Sequence, residues 1–223
     1  MTLVSAFMLS SMTDTHDQFR GLIVTAHPDP QSATAATARA VAEGFRDGGF
    51  AVADQYDIVA DGFDATFRID DLAAYRDGDS PLPEEVRAQQ LRLEQYDALA
   101  IVFPVYWWTL PGALKGWIDR VFTRGWAYND RGPEVELAAP KRLYFFGVGA
   151  TDAATYREHG YLDGMQAQLV DGLAGYMGAE DSELVLLYDG ESRHHEKHEA
   201  REEAARTAAA VIARRAGRSE DAA

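Results

Sequence analysis

The chain contains no cysteine in its 223 residues. That excludes disulfides, thiolate metal sites and a cysteine nucleophile, and it suits a reducing cytoplasm, where we expect the protein to reside. Positive charge is also scarce. Lys and Arg number 21 against 36 Asp and Glu, a formal net charge of -15. Such a surface repels a nucleic-acid backbone, and no basic stripe offsets it, so nucleic acid is not an expected partner. No apolar run approaches the length of a membrane span, so the protein is not expected to be membrane-embedded. The first nineteen residues hold no Lys or Arg, which argues against a secretory signal despite the apolar Leu3 to Leu9. Met12 offers an alternative start. No Walker loop, no complete dinucleotide fingerprint and no HExxH motif is present. No carboxylate pair stands out for glycosidase-type work, and Ser32 lacks a nucleophile-elbow context.

What is there is a chain 47% hydrophobic, long enough for one domain with a real core. Strand-like apolar runs alternate with helical patterns. Leu22 to Ala26 reads as the first strand. Ser32 to Phe45 reads as an Ala-rich helix with Ser32 as N-cap, ending at Gly48-Gly49. Phe50 to Tyr56 is a weaker strand near an edge. Residues 57–83 form an Asp-, Gly- and Pro-rich excursion with one short helix, and Pro83 to Gln95 is helical. Ala98 to Phe103 has no polar face, which predicts a central strand covered by helices on both sides. In the next helix Leu114, Trp117, Ile118, Val121 and Phe122 form one apolar stripe, with Lys115, Asp119 and Arg120 facing elsewhere. Strands follow at Leu143 to Phe146 and Leu184 to Tyr188, helices at Tyr161 to Met177 and His194 to Arg215. Five strands with helical crossovers predict a doubly wound α/β fold with parallel strand order 2-1-3-4-5. Residues 1–19 read as a disordered extension, 20–216 as a single domain and 217–223 as an acidic tail.

All four tryptophans fall between Trp107 and Trp126, and two follow the central strand directly in Pro104-Val105-Tyr106-Trp107-Trp108. Flat aromatics at a strand's carboxyl end suit a planar ligand, although an aromatic core or a dimer patch explains them equally well. The turn His27 to Ala36 joins a strand to a helix N-terminus. Its free amides, with Ser32 and Thr34, would bind an anion; a plain helix cap is the simpler reading of that turn alone. Gly147-Val148-Gly149-Ala150 would let backbone approach a flat ring, or be an ordinary turn. Tyr156 and His159 could pass a proton, or be exposed loop residues. His194 and His198 share a helical face, but no acidic ligand completes a metal site, and we expect none.

Taken together, these segments resemble the flavodoxin-like NAD(P)H:quinone oxidoreductases, the DT-diaphorase-like group. The resemblance runs from about Leu22 to Tyr188. Its most specific part is Phe103-Pro104-Val105-Tyr106-Trp107-Trp108 through Pro111, then Leu114-Lys115-Gly116-Trp117-Ile118-Asp119-Arg120-Val121-Phe122 and Trp126-Ala127-Tyr128. His27-Pro28 followed by Ser32 is a weaker match.

The resemblance implies a flavodoxin-like fold, a tightly bound flavin (FAD, with FMN the alternative) and a homodimer with shared sites. It also implies ping-pong hydride transfer from NAD(P)H through flavin N5 to a quinone-like acceptor. It places His27, Ser32 and Thr34 at the flavin phosphates and Pro104, Val105, Tyr106, Trp107 and Trp108 along the isoalloxazine. Gly149 and Ala150 fall at its pyrimidine edge, with their amides stabilising negative charge there. Tyr156 and His159 stand for a Tyr/His pair that stabilises reduced flavin, and Tyr128 lines the pocket for nicotinamide and acceptor. Two features depart from the family: Gly147-Val148 stands where threonines are frequent, and Tyr156 to His159 is a shorter spacing than in the mammalian enzymes. A flavin, azo or nitro reductase of the same family, and a flavin-binding subunit regulating a membrane transporter, are the alternatives.

Overall fold

The computed structural model describes residues 19–77, 80–130 and 136–218. The segment 1–18, with Met12, and residues 219–223, most of the expected acidic tail, lie outside the described residues. Five strands, β1 (Arg20–Thr25), β2 (Val52–Asp57), β3 (Ala98–Pro104), β4 (Arg142–Val148) and β5 (Asp181–Leu187), form one sheet in the order β2-β1-β3-β4-β5. Every pairing is parallel. The helices are α1 (Ala33–Asp47), α2 (Ile69–Asp77), α3 (Glu84–Leu93), α4 (Gly112–Val121), α5 (Ala153–Glu158), α6 (Tyr161–Gln166) and α7 (His195–Arg218). A π-helical segment, Ala167–Ala174, continues α6. Among the described residues no helix is long and apolar enough to cross a membrane.

β3 is buried at every position, as its lack of a polar face requires, and so is β4. Strand alternation divides the core in two. Leu99, Ile101 and Phe103 join Leu114, Trp117 and Val121 of α4 on one face. Ala98, Ala100 and Val102 join Val41 and Phe45 of α1 and Ala205, Ala209 and Ile212 of α7 on the other. α1 and α7 run side by side at close range. A Cβ on Gly44 would lie 2.3 Å from the Arg206 carbonyl oxygen, and one on Gly48 2.4 Å from the Ala213 methyl. α7 is therefore a packed layer of the fold rather than a free docking helix.

Four expectations need correcting. Phe19, read with the extension, stacks on Phe50 at 5.3 Å, and its carbonyl accepts from Ala51 N at 2.9 Å. Gly217 and Arg218, read with the tail, continue α7. A short helix, α5, precedes α6, because Asp152 caps the Thr155 amide at 3.0 Å. Arg120, read as facing away from the core, is 2% exposed. The excursion folds back over α4, so Asp71 accepts from Arg120 Nε at 3.0 Å, Glu85 from Nη2 at 2.7 Å and the Asp64 carbonyl from Nη1 at 2.6 Å.

Candidate functional site

Strand order reverses between β1 and β3, so the loops leaving β1 and β3 diverge and open a crevice at the carboxyl edge of the sheet. Three of the loops singled out in the sequence meet this edge.

The β1 loop is locked by its own polar groups. The Asp29 amide donates to His27 Nδ1 at 3.0 Å, the Gln31 amide to Asp29 Oδ1 at 2.8 Å, and the Ala35 amide to Ser32 Oγ at 3.1 Å. Ser32 is thus the N-cap of α1. The amides of Ala33 and Thr34 have no acceptor among the described residues and open the helix as an anion-binding end. Thr34 is only 2% exposed, so its side chain lies inside the fold.

The β3 loop is a two-residue turn. Tyr106 and Thr109 exchange both backbone hydrogen bonds, at 3.2 and 3.1 Å, and Trp107 and Trp108 occupy the tip with φ of 49° and 56°. Such turns favour Gly or Asn, because a bulky side chain in the left-handed region is strained by about 1–3 kcal/mol. Trp107 is also 84% exposed. An exposed, strained pair of indoles is not core, which removes that reading of the segment. Pro104 is buried and Val105 half-buried at the base of the turn, with the Val105 amide held by the Val148 carbonyl at 2.9 Å.

The β4 loop differs from the expectation. The Gly149 amide donates to the Leu187 carbonyl at 2.7 Å, so it is not free to stabilise a ligand's charge. Glycine stands there because Tyr156 packs beneath it: a Cβ would lie 2.6 Å from the phenol oxygen. Ala150, the next residue, is exposed.

Tyr156 is 3% exposed, with its ring edge-on to Tyr161 at 6.1 Å and to Tyr188 at 5.4 Å. Burial pushes its phenol pKa up, so at neutral pH it is a protonated donor. His159 is exposed, and its Nδ1 lies 3.0 Å from the Thr155 carbonyl. A carbonyl accepts only, so the neutral ring carries its proton on Nδ1 and offers Nε2 outward. Tyr161 is the residue the sequence reading missed. Trp108 packs on one side of it at 4.2 Å and His159 stacks on it at 5.2 Å, 15° from parallel. The expected Tyr156/His159 pair is in fact bridged by Tyr161. The signal was a tyrosine opening α6 directly after Gly160, whose φ is 69°.

Arg201 was missed as well. It is 4% exposed, and its Nε and Nη2 are buried without a partner. Only Nη1 is engaged, with the Asp189 carbonyl at 3.3 Å, and the Asp189 amide in turn donates to Thr151 of the β4 loop at 3.2 Å. The α1–α7 register places Arg201 near the level of Thr37, whose buried hydroxyl is also unpartnered. Arg201 shares one helical face with Ala205, Ala209 and Ala213, and an arginine on a small-residue stripe was visible in the sequence. A buried guanidinium with open donors beside a helix N-terminus fits the phosphate of a nucleotide-type cofactor.

Tyr128 does not join this edge. Its ring packs on Tyr176 at 5.0 Å, at the far end of the helical run that starts at Tyr161. That run is roughly 20 Å long at 1.5 Å per residue. Among the described residues no group of three or more side chains is placed to hold a metal ion; His198 Nε2 lies 2.6 Å from the Ser192 carbonyl.

Residues 20–212 match the flavodoxin-like fold family. The rat NAD(P)H dehydrogenase [quinone] 1 is 31% identical over 76% of this chain and 68% of its own. An NAD(P)H:quinone oxidoreductase from Methanothermobacter marburgensis superposes with a TM-score of 0.77 at 26% identity, over 86% of this chain and 96% of that one. An FMN-dependent NADH-azoreductase from Bacillus anthracis, solved with FMN, shares the fold with a TM-score of 0.64 at 16% identity, over 88% of this chain and all of the other. Across three curated relatives the chain spans 54%, 87% and 68% of their lengths. With the sheet order, the carboxyl-edge crevice and these relatives in agreement, the chain belongs to the flavodoxin-like family of flavin-dependent NAD(P)H oxidoreductases that includes the quinone reductases.

Proposed function

We propose that this protein is a cytoplasmic NAD(P)H:quinone reductase that works as a homodimer with a bound flavin. FAD is the cofactor we favour on family resemblance, and FMN is the alternative. The observation that carries the reading is the Trp107–Trp108 turn. Two strained, exposed indoles cap β3, and the free amides at the α1 N-terminus open on the same edge of the sheet; a flavin's flat ring and phosphate would account for both. Bound flavin would supply two-electron hydride transfer from NAD(P)H to a quinone or a similar flat acceptor, in ping-pong order.

The chain's own residues position and polarise. The α1 amides and Arg201 hold the phosphate, with His27, Ser32 and Thr34 shaping that loop. Pro104, Val105, Tyr106, Trp107 and Trp108 line the ring and exclude water. Tyr156 stays protonated in its buried place. His159 Nε2, held outward by the Nδ1 contact, exchanges the proton that accompanies two-electron reduction. Ala150, exposed after the committed Gly149, retains the role of a backbone donor to the ring edge.

Tyr128 enters the pocket from a second copy. Within one chain it lies a helix length from the indoles, on a patch with Phe67, Tyr75 and Tyr176, which are 47%, 48% and 62% exposed. A two-fold dimer would set this patch over the partner's Trp107–Trp108 turn and bury both apolar surfaces. The test is the visible spectrum of the purified protein before and after anaerobic NADPH, with released flavin identified by chromatography. A yellow protein that bleaches and is reoxidised by a quinone supports the reading. A protein that neither takes up flavin nor oxidises NAD(P)H refutes it.

A further inference from the structure

The Trp107–Trp108 turn holds two bulky residues in the left-handed region, and such strain persists only where neighbouring groups maintain it. Two contacts from one helical run do so. The Trp108 indole packs on the Tyr161 ring, with centroids 4.2 Å apart and planes at 31°. The Thr109 hydroxyl donates to Gln168 Oε1 at 3.3 Å. Tyr161 and Gln168 lie about two helical turns apart, so one face of α6 and its continuation carries both. The π-helical segment begins at Ala167, next to the residue that meets the turn, and π turns are rare and frequent at functional positions.

Tyr161 is itself fixed. Gly160, in the left-handed region, turns the chain so that Tyr161 opens α6. His159 stacks on the ring at 5.2 Å, and Tyr156 meets it edge-on at 6.1 Å. The ring is half-buried. Trp107 lacks comparable support. It is exposed, and among the described residues its ring meets one other ring, that of Trp108, at 5.9 Å and 69°. The order of dependence therefore runs from Tyr161 to Trp108 to Trp107.

We propose that Tyr161 is a positioning residue. Its ring, with Gln168 as a second point of attachment, clamps the turn in its left-handed form and so sets the face that both indoles present. That a flavin ring receives this face rests on the proposed function; the clamp does not. A ring that binds there meets indoles already in place and loses less affinity to ordering them.

The test reads the indole pair directly. Two non-parallel indoles this close give an exciton couplet in far-ultraviolet circular dichroism, and Trp107→Phe assigns it by abolishing it. The couplet is measured in the flavin-stripped full chain, together with amide exchange at Thr109, whose N–H donates to the Tyr106 carbonyl. The contact is made by the ring, so Tyr161→Phe should retain the couplet. Tyr161→Leu should lose it and speed exchange at Thr109 about two- to tenfold, the worth of one aromatic pair. Gln168→Ala, at an exposed position, should speed that exchange about twofold. FAD, and FMN in parallel, should bind Tyr161→Leu about two- to tenfold more weakly. If Tyr161→Leu fails to fold, Trp108→Leu breaks the same contact from the turn, and exchange at Thr109 decides. An unchanged couplet and unchanged exchange in the folded variant, or a Tyr161→Phe that behaves as Tyr161→Leu, would overturn the proposal. A loosened turn with unaltered flavin affinity leaves the clamp standing and removes only the placing of flavin against the indoles.

Discussion

Replacing Arg201 by methionine should move stability and cofactor affinity in opposite directions. Arg201 buries a guanidinium whose Nε and Nη2 have no partner, and burial already pulls its pKa down. In flavin-free protein this group is a liability. Exchanging a buried, poorly satisfied charge for an apolar chain of similar length stabilises by about 1–2 kcal/mol. For a chain of this size that is roughly 2–8 °C in melting temperature. On the proposed reading, the two open donors would meet the phosphate of a bound flavin. Charge-assisted hydrogen bonds are each worth about 1.5–3 kcal/mol, so losing two costs about 3–6 kcal/mol, or roughly two to four orders of magnitude in Kd. The assay is a pair of measurements on Arg201→Met: thermal unfolding of the flavin-stripped protein, and flavin binding followed by quenching of its fluorescence. An arginine that merely ties α7 to Asp189 would give a lower melting temperature and an unchanged Kd. That outcome would refute the phosphate assignment.

Four further outcomes are expected. Trp107→Gly should relieve the left-handed strain and stabilise the flavin-free protein by about 1 kcal/mol in urea unfolding while weakening flavin retention. Tyr156→Phe should keep flavin bound and lower turnover; unchanged steady-state rates would make the residue a packing element only. Arg120→Ala should cost about 3–5 kcal/mol in urea because Asp71 is left buried and unpaired, and the double variant Arg120→Met/Asp71→Leu should recover most of the loss. Asp64 has its pKa lowered from 3.8 to about 2, first by hydrogen bonds from Thr66 and then by Arg68. A depressed folded-state pKa contributes stability that is present above the unfolded value and lost as pH falls, so Asp64→Asn should flatten the stability profile between about pH 4 and 2.

The strands were legible because their signal is local. Ala98 to Phe103 carries no polar residue, and only a strand covered on both faces tolerates that. Ser32 announced the start of α1 by its own chemistry. The misread residues depend on partners distant in sequence. Arg120 sits on the polar side of its own helix, and only the folded-back excursion, with Asp71 forty-nine positions earlier, makes that side interior. The Gly149 amide was assigned to a ligand because nothing in Gly147 to Ala150 shows that the Leu187 carbonyl reaches it. Of the site, the aromatic turn and the α1 N-terminus were readable as motifs. Tyr161 and Arg201 were not, since each acquires its meaning from a neighbour in another loop or helix.

The close seating of α7 on α1 has a consequence for biosynthesis. Arg206 pairs with Asp47 across 159 positions, and Gly44 and Gly48 leave no room between the two backbones. The side of α1 that faces α7, and the part of β5 that α7 covers, therefore stay bare until α7 has left the ribosome, roughly 10–30 s after α1 emerges at about 5–20 residues per second. Chains that stop before α7 would present the α7-facing side of α1, with Gly44 and Gly48, to solvent and be prone to aggregate or be degraded. Arg201 arrives on the same helix, so on the proposed reading the phosphate site would be completed only once α7 has seated on α1.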